Sequence, residues 1–385
     1  MTFLSITAVS ALFAALAIVS PQDGAVVPTQ NEVQKRFFSV GRENRNKQIS
    51  SDEGRVALRN AGSKQLPLRL EWTGETNDVV YALKVVREGG ATEAFSITNR
   101  TFAYVTNLEL GARYHWSVFD GRDVAAGTFA TEPAAPRFLH AEGVGNFRDV
   151  GGWKTVDGRH RVRQNMIFRS AGLRARSRAE GGLLGKKKVT LGERRVTDAG
   201  IATLHDEFRI KTDLELRTPQ ETVGMETSVI GPDVQWINIS FAAYEYIDSN
   251  SRGKKPFARL FKLFADESNY PILFHCSGGR DRTGTLAFLL NGLLGVSLGN
   301  LIRDWQSTGF FTSGSRFTSD MLTGFLDYLD SYPGNTLQEK IEVYVKSCGV
   351  TDGEIASFRK IMLEDFNPDQ STQEEGGKSD GNEDL

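Results

Sequence analysis

The chain has 385 residues, of which 39% are hydrophobic and 24% are charged, and its formal net charge at pH 7 is −2. This length allows two or three domains with well-packed cores, and the near-neutral charge argues against a general nucleic-acid binder. Only two cysteines occur, which excludes a scaffold stapled by several disulfides.

The N-terminal stretch 3–19 is apolar and uncharged, and it predicts a signal peptide over residues 1–20. It contains Ala-Leu-Ala at 15–17 and is followed by Pro21. Its only positive charge is the terminal amine, and its length approaches that of a membrane span. The sequence therefore favours an exported protein, periplasmic or secreted, with a retained membrane anchor or a plain extension as alternatives.

Residues 21–54 are polar and predict a linker or the irregular edge of the next domain. Within residues 55–132, apolar and polar side chains alternate at 66–72, 81–85 and 114–118, which is typical of half-buried strands. Several short strands separated by Gly and Asn predict an N-terminal β-sandwich.

The segment 108–114 resembles the tyrosine-corner segment of fibronectin type III domains, and Trp72 stands in place of their early core tryptophan. The resemblance implies a fibronectin type III-like domain. Such a domain is either a rigid spacer or a module that binds a protein partner or a glycan.

Residues 133–366 follow a proline-rich hinge at 132–136 and alternate predicted strands with predicted helices. The alternation indicates an α/β domain with a central, mainly parallel sheet covered by helices. Strands are predicted at 166–169, 211–216, 234–239 and 272–274, and helices at 198–208, 257–266, 299–307, 317–332, 337–346 and 352–364. The loop after the last strand then lies at the carboxyl edge of the sheet, where ligands bind.

Residues 174–195 form a basic insertion with eight Lys or Arg residues against Glu180 and Glu193. In one interpretation it attracts anionic lipid head groups or acidic phosphoproteins, which would bring the protein to a membrane surface. In the other it is a solvated loop.

A strand-to-helix loop carries the chemistry. The apolar segment 270–274 leads to His275 and Cys276. The residues expected to bind substrate follow in the order Ser277, Gly278, Gly279, Arg280, Asp281, Arg282, Thr283 and Gly284. The glycines let backbone N–H groups point inward, and a helix beginning near Thr283 adds the positive end of its dipole. A loop of this kind binds a dianion such as phosphate.

Cys276 and Arg282 have five residues between them, which places a thiol at the bottom of the loop and a guanidinium at its rim. The arginine can bind two phosphate oxygens through parallel N–H donors. The inward amides and nearby arginines favour a thiolate that attacks phosphorus. The same donors stabilise the transferring phosphoryl group, so no metal or other cofactor is expected.

The pattern from His275 and Cys276 to Arg282, Thr283 and Gly284 resembles the signature of the cysteine-dependent protein tyrosine phosphatase superfamily. Asp281 makes it similar to bacterial tyrosine phosphatases that also act on phosphoinositides and, more remotely, to myotubularin-type lipid phosphatases. The segments 146–152 and 168–173 resemble those that open the catalytic domain of the bacterial group, and the whole resemblance covers about residues 136–366.

The resemblance implies phosphomonoester hydrolysis through a phosphocysteine, with phosphotyrosine in proteins as the substrate. A phosphoinositide substrate is the alternative within the same mechanism. A catalytically silent phospho-binding or adhesion protein is a third interpretation, and intact Cys276 and Arg282 weigh against it.

Two carboxylates are candidates for the acid that protonates the leaving group. The resemblance implies Asp281, whose alternatives are an ion pair with Arg280 or a cap on the helix. Asp248, in a polar loop upstream, is the other candidate.

Four further residues have supporting roles. Thr283 donates a hydrogen bond to the departing thiolate, as in the resembling family, or caps the helix. His275 orients the loop, and Arg217 is expected to form an ion pair in the pocket wall. Arg280 contacts a second phosphate or is a solvated charge.

The C-terminal part holds few further candidates. Three aromatic residues are expected to line the substrate entrance or to pack in the core: Trp305, Phe310 and Phe311. Cys348 is expected to be half-buried. Residues 367–385 are acidic and rich in Gly and Ser, which predicts a disordered tail.

Overall fold

The chain forms two compact units in the computed structural model, which describes residues 15–75, 79–90, 93–180, 188–311 and 319–366. The first unit contains residues 1–29 and 66–132, and the second contains residues 30–65 and 133–385. The chain thus starts in the first unit, passes into the second at residue 30 and returns to the first at residue 66. It leaves the first unit again after residue 132, inside the predicted hinge. Within the described ranges, no helix has the length and apolar character needed to cross a membrane.

The first unit consists of two β-sheets. Its strands are β1 (Ala17–Ser20), β2 (Ala25–Val27), β3 (Leu68–Thr73), β4 (Tyr81–Arg87), β5 (Glu93–Thr98), β6 (Phe102–Val105), β7 (Arg113–Phe119) and β8 (Val124–Thr131). The sheet orders are β1-β3-β6 and β2-β8-β7-β4-β5. One cluster of buried apolar side chains includes Leu70 and Trp72 of β3 together with Trp116 of β7. The three predicted strands are present as β3, β4 and β7.

The N-terminal region differs from the predicted boundaries. Residues 1–14 of the predicted signal peptide lie outside the described residues, whereas Ala17–Ser20 form β1 and pair with β3. Residues 21–54 are not a linker, because they contain β2, which pairs with β8, and two complete helices. Export itself stays a prediction.

Three helices fill the segment 30–65: α1 (Glu32–Phe38), α2 (Arg42–Ser50) and α3 (Asp52–Ala61). They belong to the second unit, so the first unit resumes only at Leu66 rather than at residue 55. The apolar side chains that these helices bury in the core are Phe37, Ile49 and Leu58. With so few apolar side chains on each helix, the sequence shows no clear helical period, and the segment looks like a linker.

The helical segment is joined to the end of a later helix by a buried polar contact. Arg45, which is 1% exposed, donates from Nε to Gln306 Oε1 at 2.6 Å. The amide of Gln306 donates in turn to Asn46 Oδ1 at 2.8 Å. The rings of Phe37 and Phe310 meet edge to face beside them, with centroids 5.0 Å apart. Residues 30–65 therefore share the core of the second unit.

The rest of the second unit has the predicted alternation of strands and helices. Its elements are β9 (Arg148–Asp149), β10 (His160–Val162), β11 (Ile167–Ala171), β12 (Arg178–Glu180), β13 (Lys188–Thr190), α4 (Asp198–Ala202), β14 (Thr212–Glu215), β15 (Gln235–Asn238), α5 (Lys255–Phe264), β16 (Ile272–Cys276), α6 (Asp281–Leu293), α7 (Leu298–Gln306), α8 (Ser319–Asp330), α9 (Leu337–Ser347), α10 (Asp352–Met362) and β17 (Leu363–Asp365).

The central sheet has the order β15-β14-β16-β11-β9, and only the β9–β11 pair is antiparallel. The parallel register pairs Ala171 with Cys276 and Glu215 with His275. The carboxyl ends of β11, β14 and β16 therefore lie side by side. The predicted, mainly parallel sheet is confirmed.

The two elements that flank the active loop, β16 before it and α6 after it, are both buried in the core. All five residues of β16 are buried, and so is every residue of α6 from Thr283 to Leu293. A helix buried all round reads as a continuous apolar run, which is the pattern in the sequence. Because both arms are held by the core, the short loop between them has little freedom to move.

The structure describes both ends of the basic insertion. Its described ends, β12 and β13, pair as an antiparallel hairpin, and all six of their residues are exposed. The segment 181–187, which includes Lys186 and Lys187, lies outside the described residues, as does the predicted acidic tail at 367–385.

Candidate active site

The candidate active site is the loop between β16 and α6. Cys276 ends the strand, is 3% exposed and is not part of a disulfide. The helix begins at Asp281, two residues earlier than predicted, so that only residues 277–280 lie between the two elements. The sulfur therefore lies close to the positive end of the α6 dipole.

Side chains from two other segments hold the carbonyl groups of this loop. Asn146 Nδ2 donates to the carbonyls of Gly278 and Gly279, both at 3.0 Å, and Arg169 Nη2 donates to Gly279 at 2.8 Å. The Ser277 carbonyl accepts from the N–H of Gly172 at 3.3 Å. Within the described ranges, the N–H groups of Ser277, Gly278 and Gly279 donate to no protein acceptor. These three donors are left for an external anion.

A buried charge cluster fixes the residues that hold the loop. Asp304 accepts hydrogen bonds from Arg148 Nε at 2.8 Å and from Arg169 Nη1. Both arginines are fully buried. Burial would raise the pKa of Asp304, but Arg148 and Arg169 lower it below its usual value. Burial and neighbouring Arg148 lower the pKa of Arg169 to about 10, so it is still charged at neutral pH.

Gly279 occupies a backbone position that suits only glycine. Its φ is +67°, and a Cβ atom would lie 2.5 Å from the Ser170 carbonyl oxygen, which is backbone and fixed in β11. Gly278 differs, since a Cβ atom there would meet nothing within 4 Å. The two adjacent glycines thus have different roles in the loop.

We expect Gly279→Ala to lower the free energy of unfolding by about 1–3 kcal/mol, because of the left-handed backbone and the clash with Ser170. Gly278→Ala, the matched control, should change it by about 0.5 kcal/mol or less. Urea unfolding of both variants measures the difference. Equal effects would contradict the backbone argument.

Arg282 is held by Glu221, a residue that the sequence did not single out. The guanidinium and the carboxylate meet in a two-pronged contact, with Nη1–Oε2 at 2.7 Å and Nη2–Oε1 at 3.1 Å. Burial would raise the pKa of Glu221, but the hydrogen bonds from Arg282 and from the Thr218 backbone lower it to about 2. Glu221 is therefore charged at any working pH and orients the arginine.

Electrostatics also link Arg282 to the sulfur. Burial would lower the pKa of Arg282, but Glu221 and the nearby Cys276 sulfur raise it. Burial would likewise lower the pKa of Arg280, but Asp281 and, to a smaller extent, the Cys276 sulfur raise it. Two guanidinium groups thus stay charged close to the sulfur, as expected from the sequence.

Asp281 lies at the first position of α6 with its side chain 38% exposed. Its carboxylate accepts from Arg280 Nε at 2.9 Å and from the hydroxyl of Tyr244 at 2.6 Å. The ion pair with Arg280, one of the alternatives in the sequence, is therefore present. Tyr244 is a second partner that the sequence did not indicate.

Asp248 lies apart from these contacts. Its side chain is 67% exposed, accepts a hydrogen bond from Tyr328 at 3.0 Å and lies 3.7 Å from Lys254 Nζ. It makes no hydrogen bond or ion pair with residues 276–284 in the described part of the chain. These surroundings do not favour Asp248 as the acid.

Thr283 and Gly284 follow the arginine into the helix. The Thr283 hydroxyl is buried and has no hydrogen-bond partner among the described residues, so neither predicted bond, to the sulfur or to a helix N–H, is made in this structure. Gly284 lies against Trp305, since a Cβ atom at Gly284 would be 3.1 Å from the indole ring.

His275 and Arg217 lie in a buried charge network next to the loop. His275 Nε2 lies 2.7 Å from Asp213 Oδ1, and its Nδ1 lies 3.5 Å from Glu215 Oε2. Burial would lower the pKa of His275, but Glu215 and Asp213 raise it. Arg217 forms the predicted ion pair, with Nη2 at 2.6 Å from Glu215 Oε2. The network fixes the imidazole beside Cys276.

The aromatic residues at the end of α7 and just after it mostly pack in the core. Trp305 is 3% exposed and Phe310 1% exposed, so neither lines an entrance, whereas Phe311 is 38% exposed. Cys348 is half-buried, as predicted, and burial raises the pKa of its thiol to about 11.

Comparison with known proteins points to one family. The model of the tyrosine phosphatase family matches residues 139–191 and 193–364, which is more than half of the chain. A tyrosine-protein phosphatase from Nostoc commune is 27% identical over 145 residues. That match covers 33% of this chain and 49% of the relative, so it spans about half of the relative's length.

Two solved structures have a weaker likeness. One is the core catalytic domain of the PP-IP phosphatase SIW14 from S. cerevisiae in complex with citrate, with a TM-score of 0.26, 16% identity, and coverage of 47% of this chain and 85% of that one. The other is the Siw14 catalytic core, with a TM-score of 0.27, 13% identity, and coverage of 46% and 88%. At these TM-scores the likeness carries no structural argument.

Proposed function

The chain belongs to the tyrosine phosphatase family, and we propose that it is a phosphatase that hydrolyses phosphotyrosine in proteins through a phosphocysteine intermediate. The observation that carries the mechanism is the loop itself. Three backbone N–H groups without protein acceptors in the described part lie between a buried cysteine and an oriented arginine. This arrangement suits a phosphoryl group whose charge lies on its outer oxygens.

In the first step, the Cys276 thiolate attacks phosphorus and forms the S–P bond. The P–O bond to the leaving group breaks, its electron pair stays on the leaving oxygen, and Asp281 supplies the proton. Arg282 and the loop N–H groups bind the phosphoryl oxygens throughout. In the second step, water attacks phosphorus, the S–P bond breaks, and Asp281 takes a proton from the water. The residues themselves supply the positive field, so the proposal requires no metal.

Glu221 has a definite part in this proposal. Its two oxygens take one N–H from each terminal nitrogen of Arg282, which leaves the remaining guanidinium N–H groups to the phosphate. An arginine held on one side presents its donors in a fixed plane, which limits the entropy lost when the substrate binds.

A phosphoinositide substrate is a second candidate, and contacts at the rim of the loop favour it. Arg176 Nε lies 3.1 Å from Ser277 Oγ, and Arg195 Nη1 lies 3.4 Å from the Ser277 carbonyl. Both arginines are exposed and flank the basic hairpin of β12 and β13. These cations would attract anionic head groups or a membrane surface that carries them.

The first unit is proposed to be a fibronectin type III-like β-sandwich that acts as a spacer or binds a partner or glycan. In support, the hydroxyl of Tyr114 accepts a hydrogen bond from the Glu109 N–H at 2.8 Å, as expected for a tyrosine corner. Trp72 is 2% exposed in the same core. We propose, on the apolar N-terminal stretch alone, that the protein is exported.

The experiment that tests the substrate proposal is phosphate release from phosphotyrosine and phosphoserine peptides, soluble short-chain phosphoinositides, and vesicles that contain the same head groups. We expect the highest kcat/KM with phosphotyrosine peptides, with little dependence on salt. A higher kcat/KM with phosphoinositides would support the second candidate. If high salt lowers kcat/KM steeply on vesicles but not on the soluble substrates, the basic hairpin acts at the membrane surface. No hydrolysis of any substrate would reject both.

A further inference from the structure

Tyr244 contacts the proposed acid from a separate element. It begins the short 3-10 helix Tyr244–Asp248, is 4% exposed, and donates its hydroxyl to Asp281 Oδ1 at 2.6 Å. This distance is at the short end for an O–H···O bond, as expected when the acceptor is charged. A buried phenol therefore bonds the side chain that is proposed to move the proton.

Trp305 fixes which way the phenol proton points. The indole Nε1 lies 3.3 Å from the Tyr244 oxygen and can only donate a hydrogen bond. The phenol must therefore accept from Trp305 and direct its own proton to Asp281. Burial and the charge of Asp281 raise the pKa of Tyr244, so it stays a donor at working pH.

The backbone of Tyr244 is held to the same helix as Asp281. Its φ is +55°, which is uncommon for a bulky residue and persists only when the surroundings enforce it. Its N–H donates to the Thr285 hydroxyl at 2.9 Å, one turn into α6. The contact between Tyr244 and Asp281 is thus fixed at both the backbone and the side chain.

These contacts make the two oxygens of Asp281 different. Oδ1 accepts from Tyr244 at 2.6 Å and from Arg280 Nε at 2.9 Å. Among the residues that the structure describes, Oδ2 has only the 3.4 Å contact to Arg280 Nη2. We infer that Tyr244 is a positioning residue for Asp281: it holds Oδ1, so that Oδ2 is the oxygen that carries the proton to the leaving group.

The inference rests on the proposed acid role of Asp281. As the P–O bond breaks, the proton on Oδ2 passes to the leaving oxygen, and the new carboxylate charge is stabilised at Oδ1 by Tyr244 and Arg280. Arg280, the second partner of this carboxyl, also interacts electrostatically with the Cys276 sulfur. Among the described residues, the hydroxyl of Tyr244 bonds Asp281 and Trp305, so it acts on the reaction through Asp281.

The test compares hydrolysis of phenyl phosphate, which has a poor leaving group, with that of 4-nitrophenyl phosphate, which has a good one. For Tyr244→Phe we expect kcat/KM, which covers only the steps up to release of the leaving group, to fall roughly 10- to 100-fold with phenyl phosphate, as for a misplaced catalytic group. With 4-nitrophenyl phosphate we expect a fold-loss in kcat/KM that is at least about ten times smaller. A loss that is equal for both substrates would overturn the inference, because a general loss of structure affects both.

Tyr246→Phe is the matched control, since Tyr246 lies on the same 3-10 helix but is 57% exposed. It should behave like the wild type with both substrates. A double-mutant cycle adds a second readout: in an Asp281→Asn background, Tyr244→Phe should cost less than about threefold, since Tyr244 then has no acid to position. Independent, additive losses would also overturn the inference.

The same cycle separates the inference from the proposed function. If Asp281→Asn shows no dependence on the leaving group, the acid role itself fails. If Asp281→Asn shows that dependence and Tyr244→Phe does not, the acid role stands and only the inference about Tyr244 fails.

Discussion

Cys276→Ser is expected to abolish turnover, with kcat lowered roughly 10⁴-fold or more, as found when a nucleophile is removed. A serine hydroxyl is not ionised by this loop, and it is a poorer nucleophile and leaving group than a thiolate. Phosphate should still bind, because Arg282 and the loop N–H groups are unchanged. Steady-state kinetics measures the loss of turnover. Equilibrium titration of the variant with inorganic phosphate measures the binding that should remain.

Direct trapping makes this prediction sharper. When the wild type is quenched during turnover, the peptide that contains Cys276 should carry a phosphoryl group on sulfur, and Cys276→Ser should yield none. Cys348→Ser is the matched control, since Cys348 is the only other cysteine in the sequence, and it should keep full activity. Turnover by Cys276→Ser, or phosphate found only elsewhere, would remove the phosphocysteine from the mechanism.

The central sheet of the second unit could be predicted from the sequence because its strands are short, apolar and separated by helical segments. β11, β14, β15 and β16 lie where the pattern predicts them, within two residues at each end. The helices α1 to α3 were missed for a physical reason. Each buries only one or two side chains, such as Phe37 and Ile49, and their stability comes from packing against distant residues such as Phe310.

The sequence likewise predicts one part of the candidate site and not the other. Cys276, the loop glycines and Arg282 are contiguous, so their spacing alone predicts a phosphate-binding loop. Glu221 and Tyr244 come from separate elements and meet the loop only after folding, and one Glu among many gives no local signal. Asn146 lies in a segment whose resemblance was recognised, but its contact with the loop carbonyls required the structure.

The dependence of Arg282 on Glu221 leads to the second large effect. Arg282→Lys is expected to lower kcat/KM roughly 10³-fold, within the range for arginines that stabilise a phosphoryl transition state. The charge is kept, so the loss comes from geometry. A lysine is a single point donor and is unable to bond both oxygens of Glu221 while it bonds two oxygens of the phosphate.

Arg176→Lys is the matched control, because Arg176 also contacts Glu221, at 3.0 Å, but is 62% exposed. It should lower kcat/KM by less than tenfold. Glu221→Gln should give an intermediate loss, since a neutral amide still accepts a hydrogen bond but no longer orients the guanidinium from both sides. If Arg282→Lys keeps wild-type kcat/KM, a positive charge suffices at this position. The two-pronged contact with Glu221 would then be a feature of stability and not of catalysis.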